Sequence, residues 1–322
     1  MYKQFFKLKK NPFEITPDPS FLFATTKHKE ALAALYYGVR QHKGFVVLTG
    51  EVGTGKTLLV RCLLQLLNRD SVAYAYVFNS VLAPVEFLQY IAGDFGLPSS
   101  GRTKSDLLLL LGNHLIERHR KKQTTVLVID EAHHLSPEVL EEVRLLTNLE
   151  TPEQKLLQIL LVGQPELDEK LDSFELRQLK QRVALRARLQ ALTLEETRGY
   201  IRRRLQLASA EPQAAELFGD EAVAVVYRYS RGIPRLINTV CENVLITAYA
   251  GQSQVVTVEM VEDVARDLRL RVRCAPWPAV KEQPNGEVRN AVKVLLQLYE
   301  ALKAREGKVV TTRTTETHEP II

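Results

Sequence analysis

An α/β fold is predicted for this 322-residue sequence: a mainly parallel five-stranded sheet flanked by helices and followed by an all-helical region. Three observations predict it. Short apolar runs of strand length alternate with helix-spaced segments from residue 45 to residue 190. The densest runs, Val126–Ile129 and Ile159–Val162, have no polar face, as strands covered on both sides require. After Leu192 only helical spacing remains.

In chain order, Phe5, Phe6, Pro12, Phe13, Pro17, Pro19, Phe21 and Phe23 predict an irregular lead-in pinned to a surface by its rings. Leu32, Leu35, Tyr36 and Val39 recur at helical spacing between Thr26 and Gln41, and Gly44 ends that helix before a strand at 45–49. The pattern then predicts a loop at 50–55, helix 56–68, strand 72–78, helices 84–95 and 104–120, and strand 125–130. It continues with helix 137–148, strand 157–163, helix 166–180 and strand 185–190. Four helices follow at 194–209, 219–229, 233–249 and 258–270. Four regions are expected: a lead-in with the first helix (1–43), the α/β domain (44–192), a helical domain (193–272), and a linker, short helix near 287–305 and Thr-rich tail of disordered composition (273–322). No internal repeat is evident.

Hydrophobic residues make up 45% of the chain and charged residues 25%, which excludes a fibrous or disordered protein. No apolar run approaches the roughly 20 residues that span a bilayer, and Met1–Lys10 lacks the apolar segment and cleavage site of a secretory signal. The expectation is a cytoplasmic protein without a membrane span. Cys62, Cys241 and Cys274 have no CxxC spacing or companion histidine cluster and read as reduced thiols. A net charge of +5 is compatible with an acidic partner such as nucleic acid, and equally with bound phosphates and solvated helix faces.

Gly50-Glu51-Val52-Gly53-Thr54-Gly55-Lys56-Thr57 fits G-x-x-x-x-G-K-[ST] between a predicted strand and a predicted helix, with Leu58 next in line. Glycines let the backbone fold into a nest of N–H groups, and the following helix adds the positive end of its dipole. Lys56 neutralises the β- and γ-phosphates of a nucleoside triphosphate, and the Thr57 hydroxyl ligates Mg²⁺. Asp130 and Glu131 follow the apolar strand in "VLVIDEAHHL", at the end of a parallel sheet where ligands bind. Asp130 is expected to hold Mg²⁺, directly or through water, and Glu131 to polarise the water that attacks the γ-phosphate. His133 and His134 lack metal-ligand spacing and read as helix-start or interface residues.

With "FFKLKKNPFEITPDPSFLF", "GEVGTGKT", "VLVIDEAHHL", "LLTNLET", "LLVGQPEL", "LRQLKQRV" and "YSRGIPRLIN", the chain resembles the AAA+ ATPases over roughly residues 1–272. Within them it is similar to the branch holding the general secretion pathway protein A family and the TniB/TnsC-type transposition ATPases. D-E-A-H also occurs in a helicase superfamily, but this chain is too short for two nucleotide-binding domains. The resemblance implies a P-loop AAA+ fold with a helical lid. It makes Gln164 the sensor 1 residue, with a turn before Pro165 as the plainer role, and Arg235 the sensor 2 arginine, with Arg231 as fallback. It places an arginine finger at Arg182, or at Arg177, against a plain basic face that also includes Arg186 and Arg188. Backbone near Phe13 and Phe23 is implied to contact the base, or only to pack.

Nothing in the lead-in distinguishes adenine from guanine, but no guanine motif of N-K-x-D type is evident, so ATP is the expected nucleotide. Longer members of the secretion family continue into a transmembrane helix and a periplasmic domain. The tail here leads to the expectation of a shorter, stand-alone member serving pilus or exopolysaccharide export. The implied function is ATP hydrolysis by a ring or filament that drives or regulates assembly of an export apparatus at the inner membrane, where the protein would be peripheral. The alternative is an ATP-dependent regulator of transposition that binds DNA.

Overall fold

The computed structural model describes residues 2–16, 18–67, 72–78, 81–209 and 216–271. The expected linker, the short helix near 287–305, the Thr-rich tail and Cys274 lie outside the described residues. The elements are α1 (Tyr2–Phe5), α2 (Thr26–Arg40), β1 (Phe45–Gly50), α3 (Lys56–Leu67), β2 (Ala73–Val77), α4 (Pro84–Asp94), α5 (Lys104–Arg120), β3 (Thr125–Ile129) and α6 (Pro137–Leu146). Then come β4 (Leu157–Gly163), α7 (Glu166–Leu171), α8 (Arg177–Lys180), β5 (Leu185–Leu189), α9 (Leu194–Ala208), α10 (Asp220–Ser230), α11 (Pro234–Ala250) and α12 (Val258–Asp267).

Burial explains why the central strands read as unbroken apolar runs. The sheet is parallel, in the order β2-β3-β4-β1-β5, and every residue of β1, β3 and β4 is buried. The edge strands β2 and β5 are only partly covered. Alternation along β1 separates the two faces. Phe45 and Val47 join the core formed with α4, α5 and α6, while Val46 and Leu48 join the core formed with α2 and α3. The register aligns Thr49 with Gly163 and Ile129 with Leu161. Gly50, Asp130 and Gln164 therefore emerge side by side at the C-terminal edge of the sheet.

Helix starts carry their expected chemistry. Thr25, Thr103, Ser136, Thr193 and Thr257 each accept a backbone N–H from the first turn, satisfying donors that have no partner inside the helix. The stretch 166–180, expected as one helix, is two. Leu167 and Leu171 lie on one helical stripe, but Leu176 would fall about 140° around from Leu171 in a continuous helix. Interrupting the helix lets Leu167, Leu171, Leu176 and Leu179 all enter the same core.

The lead-in is less irregular than its composition predicts, with a one-turn helix at Tyr2–Phe5 and a 3₁₀ turn at Pro19–Phe21. Its rings are pinned to the helical region: Phe6, Leu8 and Phe13 share one core with Tyr200, Leu205, Val226, Ile237 and Val244. Phe13 packs edge-on against Phe218 at 6.0 Å. Cys241 is buried in this core and Cys62 is buried on α3. Burial raises both thiols, that of Cys62 to about 11, so they are unreactive packing groups.

Candidate nucleotide site

The loop between β1 and α3 has the shape its glycines allow. Gly53 and Gly55 adopt φ of 80° and 98°, a region that costs a side-chain-bearing residue on the order of 1–2 kcal/mol. Gly53 has a second reason to lack a side chain, because an added Cβ would stand 2.6 Å from Cβ of Arg235. The backbone N–H of Arg235 donates to the Gly53 carbonyl at 3.2 Å. This contact seats the first turn of α11 directly on the loop. Gly232 makes the approach possible: at φ 72° it packs so close to Leu192 that a Cβ would lie 1.9 Å from that residue's carbonyl oxygen.

Lys56 is buried, and its ammonium donates to the carbonyls of Gly50 at 2.8 Å and Glu51 at 3.1 Å. Burial depresses its pKa, and the charges of Glu131, Asp130, Glu51 and Glu166 act against that. A buried cation whose hydrogen-bond partners are neutral carbonyls is a fitting partner for a polyphosphate. Thr54 is fully buried and fixes the loop by donating from its hydroxyl to the Glu51 carbonyl at 2.7 Å. Behind the loop, buried His28 has Nδ1 2.8 Å from the Thr25 hydroxyl and Nε2 3.4 Å from the Thr54 carbonyl. Burial holds its pKa below the ordinary histidine value, opposed by that backbone contact.

Asp130 is buried at the end of β3, where Oδ2 accepts from the Thr57 hydroxyl at 3.0 Å and the Tyr76 phenol at 2.7 Å. Its Oδ1 accepts the backbone N–H of Glu131 at 3.0 Å. Tyr76 comes from β2, paired across the ladder with Val128. Burial, then the charge of Asp130, raises the phenol's pKa, so the phenol stays a donor. The Thr57 hydroxyl and the Asp130 carboxylate thus stand together as oxygen ligands suited to Mg²⁺. Among the described residues no group of three or more His, Cys, Asp or Glu could hold a metal. A cation here would complete its shell with phosphate oxygens and water, which is how Mg²⁺ binds with nucleotides.

Glu131 has φ 50° and ψ 37°, left-handed backbone in a residue that rarely adopts it. That turn sends the chain into the short 3₁₀ segment Ala132–His134 and leaves the Glu131 side chain 46% exposed and lining the cleft. Gln164, just past β4, meets His133 rather than lining the cleft: its side-chain nitrogen lies 2.8 Å from His133 Nε2.

The cleft has a volume of about 320 Å³ and is lined at one end by Val52, Gly53, Gly55, Lys56, Thr57, Leu58 and Glu131. Arg235 and Pro234 close one side. The other end is walled by Ile15, Thr16, Asp18, Tyr200, Arg204 and Asn238. Phe13 and Phe23 are not in that wall; Phe23 packs instead on Tyr200 at 5.9 Å. The wall is braced by the Tyr200 hydroxyl donating to Asn238 Oδ1 at 2.8 Å, and by Arg204 donating to the Pro12 carbonyl at 2.5 Å. The Arg204 guanidinium stacks between the rings of Phe21 and Tyr200 at 4.9 and 5.1 Å.

Gly50, Glu51, Thr54 and Asp130 shape the site from behind its surface. Arg177 and Arg182 do not line this cleft: Arg177 lies 4.3 Å over the ring of exposed Phe174. Arg186 is paired with Asp168 at 2.9 Å, and Arg231 ends α10 in left-handed backbone. Sequence reasoning missed Tyr76, His28 and the wall residues Ile15, Tyr200, Arg204 and Asn238. It assigned His133 no part in the site, although that residue's place two positions after Glu131 was a usable signal.

Residues 39–171 match the family described as "AAA domain". The chain is 45% identical over 254 residues to general secretion pathway protein A of Aeromonas hydrophila, an alignment covering 79% of this chain and 46% of that protein. It therefore spans about half the length of the curated relative it matches. Among solved structures it is similar to the Aeropyrum pernix ORC2 protein at a TM-score of 0.60 and 18% identity, over 80% of this chain and 72% of that one. It is also similar to Cdc6p from Pyrobaculum aerophilum, at 0.62 and 18%, over 82% and 70%. RuvB of Thermotoga maritima aligns at 0.51 and 19%, over 82% and 74%. These three establish the fold.

The chain thus carries an AAA domain and is similar to general secretion pathway protein A. No helix among its described residues is long and apolar enough to cross a membrane.

Proposed function

We propose that this AAA-domain protein is an ATPase that binds ATP with Mg²⁺ in the cleft between sheet and helical region, hydrolyses it, and as an oligomer drives or regulates assembly of a secretion, pilus or exopolysaccharide export apparatus. The observation that carries the reading is the convergence of Lys56, Thr57, Asp130, Glu131 and Arg235, from three separate parts of the chain, around one cleft. The likeness to general secretion pathway protein A supports the export setting.

The triphosphate lies along the Gly50–Thr57 loop, where backbone N–H groups and the α3 dipole bind its oxygens. Lys56 exchanges its carbonyl partners for the β- and γ-phosphates. Thr57 and Asp130 hold Mg²⁺, which when bound neutralises charge developing on the phosphate oxygens. Glu131 accepts a hydrogen bond from the attacking water and orients it in line with the γ-phosphate, while Gln164 and Arg235 stabilise the charge that builds up. Because the backbone of Arg235 is bonded to the loop itself, any shift of the γ-phosphate is felt by α11 and by the helices packed on it.

Arg177 and Arg182 are placed away from the cleft of their own chain, which supports action in trans on a neighbouring subunit. Arg186, held by Asp168, is the poorest finger in the cluster.

The test is ATP hydrolysis by purified protein over a range of protein concentrations, with and without duplex DNA, beside Lys56→Ala. A rate per chain that rises with concentration, needs Lys56 and ignores DNA supports an oligomeric ATPase of the export type. A several-fold stimulation by DNA at low salt would favour a transposition-type regulator instead.

A further inference from the structure

We propose that His133 is a positioning residue that couples Gln164 to Glu131, so that rotation of the Gln164 amide between His133 and a bound γ-phosphate controls the carboxylate that aligns the attacking water. This deepens the ATPase reading and rests on it.

The geometry is that of a relay. His133 sits in the 3₁₀ turn started by the left-handed Glu131, and its side chain is only 7% exposed. Both ring nitrogens face groups of the site. Nε2 is 2.8 Å from the Gln164 side-chain nitrogen. Nδ1 is 3.4 Å from the Gln164 backbone nitrogen and 3.5 Å from Oε2 of Glu131. That Oε2 is shielded from solvent and makes no hydrogen bond, so an acceptor stands ready beside the ring. The Lys170 ammonium fixes the turn by donating to the carbonyls of His133 at 2.9 Å and Leu135 at 2.6 Å.

A neutral imidazole carries one N–H, so these contacts cannot all be made at once. When the Gln164 amide presents its nitrogen to Nε2, that ring atom accepts, and the hydrogen resides on Nδ1, facing Glu131. When the amide turns and presents its oxygen, Nε2 donates and Nδ1 accepts the Gln164 backbone N–H, leaving Glu131 without its donor. In the exchange Nδ1 gives its proton to a water molecule of the cleft and Nε2 takes one up from water, with no change in charge. Rotation of Gln164 toward or away from a γ-phosphate therefore switches the hydrogen bond offered to Glu131. Burial and then the neighbouring His134 lower the ring's affinity for a second proton, as does Lys56, while Glu131 and Glu166 oppose them. A ring kept neutral is what such an alternation needs.

The experiment compares ATP turnover and affinity for a fluorescent ATP analogue in wild type, His133→Ala, Gln164→Ala, the double variant and His133→Gln. Each alanine variant is expected to lower kcat about tenfold or more while affinity stays within about threefold. The double variant should be no more than about twofold slower than the slower single, because both remove one relay. His133→Gln, whose amide can donate and accept, should recover at least about threefold over His133→Ala. Should His133→Ala fail to fold, the same cycle is run with His133→Leu, which fills the space but can neither donate nor accept.

The proposal is overturned if His133→Ala turns over within about twofold of wild type, or if the two losses multiply in the double variant. A wild type no faster than Lys56→Ala would instead remove the ATPase reading and the relay with it.

Discussion

At one end of the cleft, the proposed phosphate end, residues of the single stretch Val52–Leu58 supply most of the lining, and the loop is locked by its own hydrogen bonds. At the other, the proposed base end, Ile15 and Thr16, Tyr200 and Arg204, and Asn238 arrive from the lead-in, α9 and α11. The first end is a property of local sequence laid on rigid central strands. The second exists only when the lead-in is folded onto the helical region. The contrast teaches that the two ends can be probed separately: on the proposed function the first end carries turnover and the second affinity and stability.

The largest expected effect tests the phosphate end. Lys56→Ala should weaken ATP binding at least tenfold and abolish measurable hydrolysis, read by analogue titration and phosphate release. Next, Arg235→Ala should cut kcat about tenfold or more with affinity changed by only a few-fold, since its guanidinium serves charge that develops during reaction. Equal losses in kcat and affinity would blur the line between the two ends.

At the base end, Tyr200→Phe leaves Asn238 Oδ1 without its donor, a loss of about 1 kcal/mol. The KM for ATP should rise about fivefold with kcat nearly unchanged; a kcat loss larger than the KM change would show that this wall takes part in chemistry.

The smallest effect is on acid stability. Burial lowers the pKa of His28, His42, His114 and His133 below that of an unfolded histidine. Below about pH 6.5 the unfolded chain then binds more protons than the folded one, so stability falls as pH drops through that value toward the lowered folded pKa values. The melting temperature should decline from pH 7 to pH 5, with a shallower decline in His28→Gln. An unchanged slope in that variant would mean His28 is not held neutral behind the loop.

The same contrast decides what could be read from sequence. The places of Gly50–Thr57 between β1 and α3 and of Asp130–Glu131 after β3 are legible because glycines, a lysine and paired acids stand at fixed spacing next to apolar strands. The central strands were legible because burial on both faces leaves no polar position to confuse the pattern. Helix 166–180 was misread as continuous because its apolar count suits a helix while Leu176 falls off the stripe. Tyr76 was invisible for a different reason. "AYAYV" holds two tyrosines, and only the pairing of β2 with β3 brings the second to Asp130. Arg204 reads as one more arginine in "YIRRRL" until its stacking on Phe21 and Tyr200 is seen.

The central claim is that Glu131 carries the chemistry in a cleft that binds ATP without it. Wild type and Glu131→Gln are each incubated with ATP and Mg²⁺, passed rapidly through a desalting column, and the nucleotide that travels with the protein is identified. The account predicts ADP on wild type and intact ATP on Glu131→Gln, in similar amounts per chain. ADP formed at the same rate on both proteins, or no nucleotide retained by either, would contradict it.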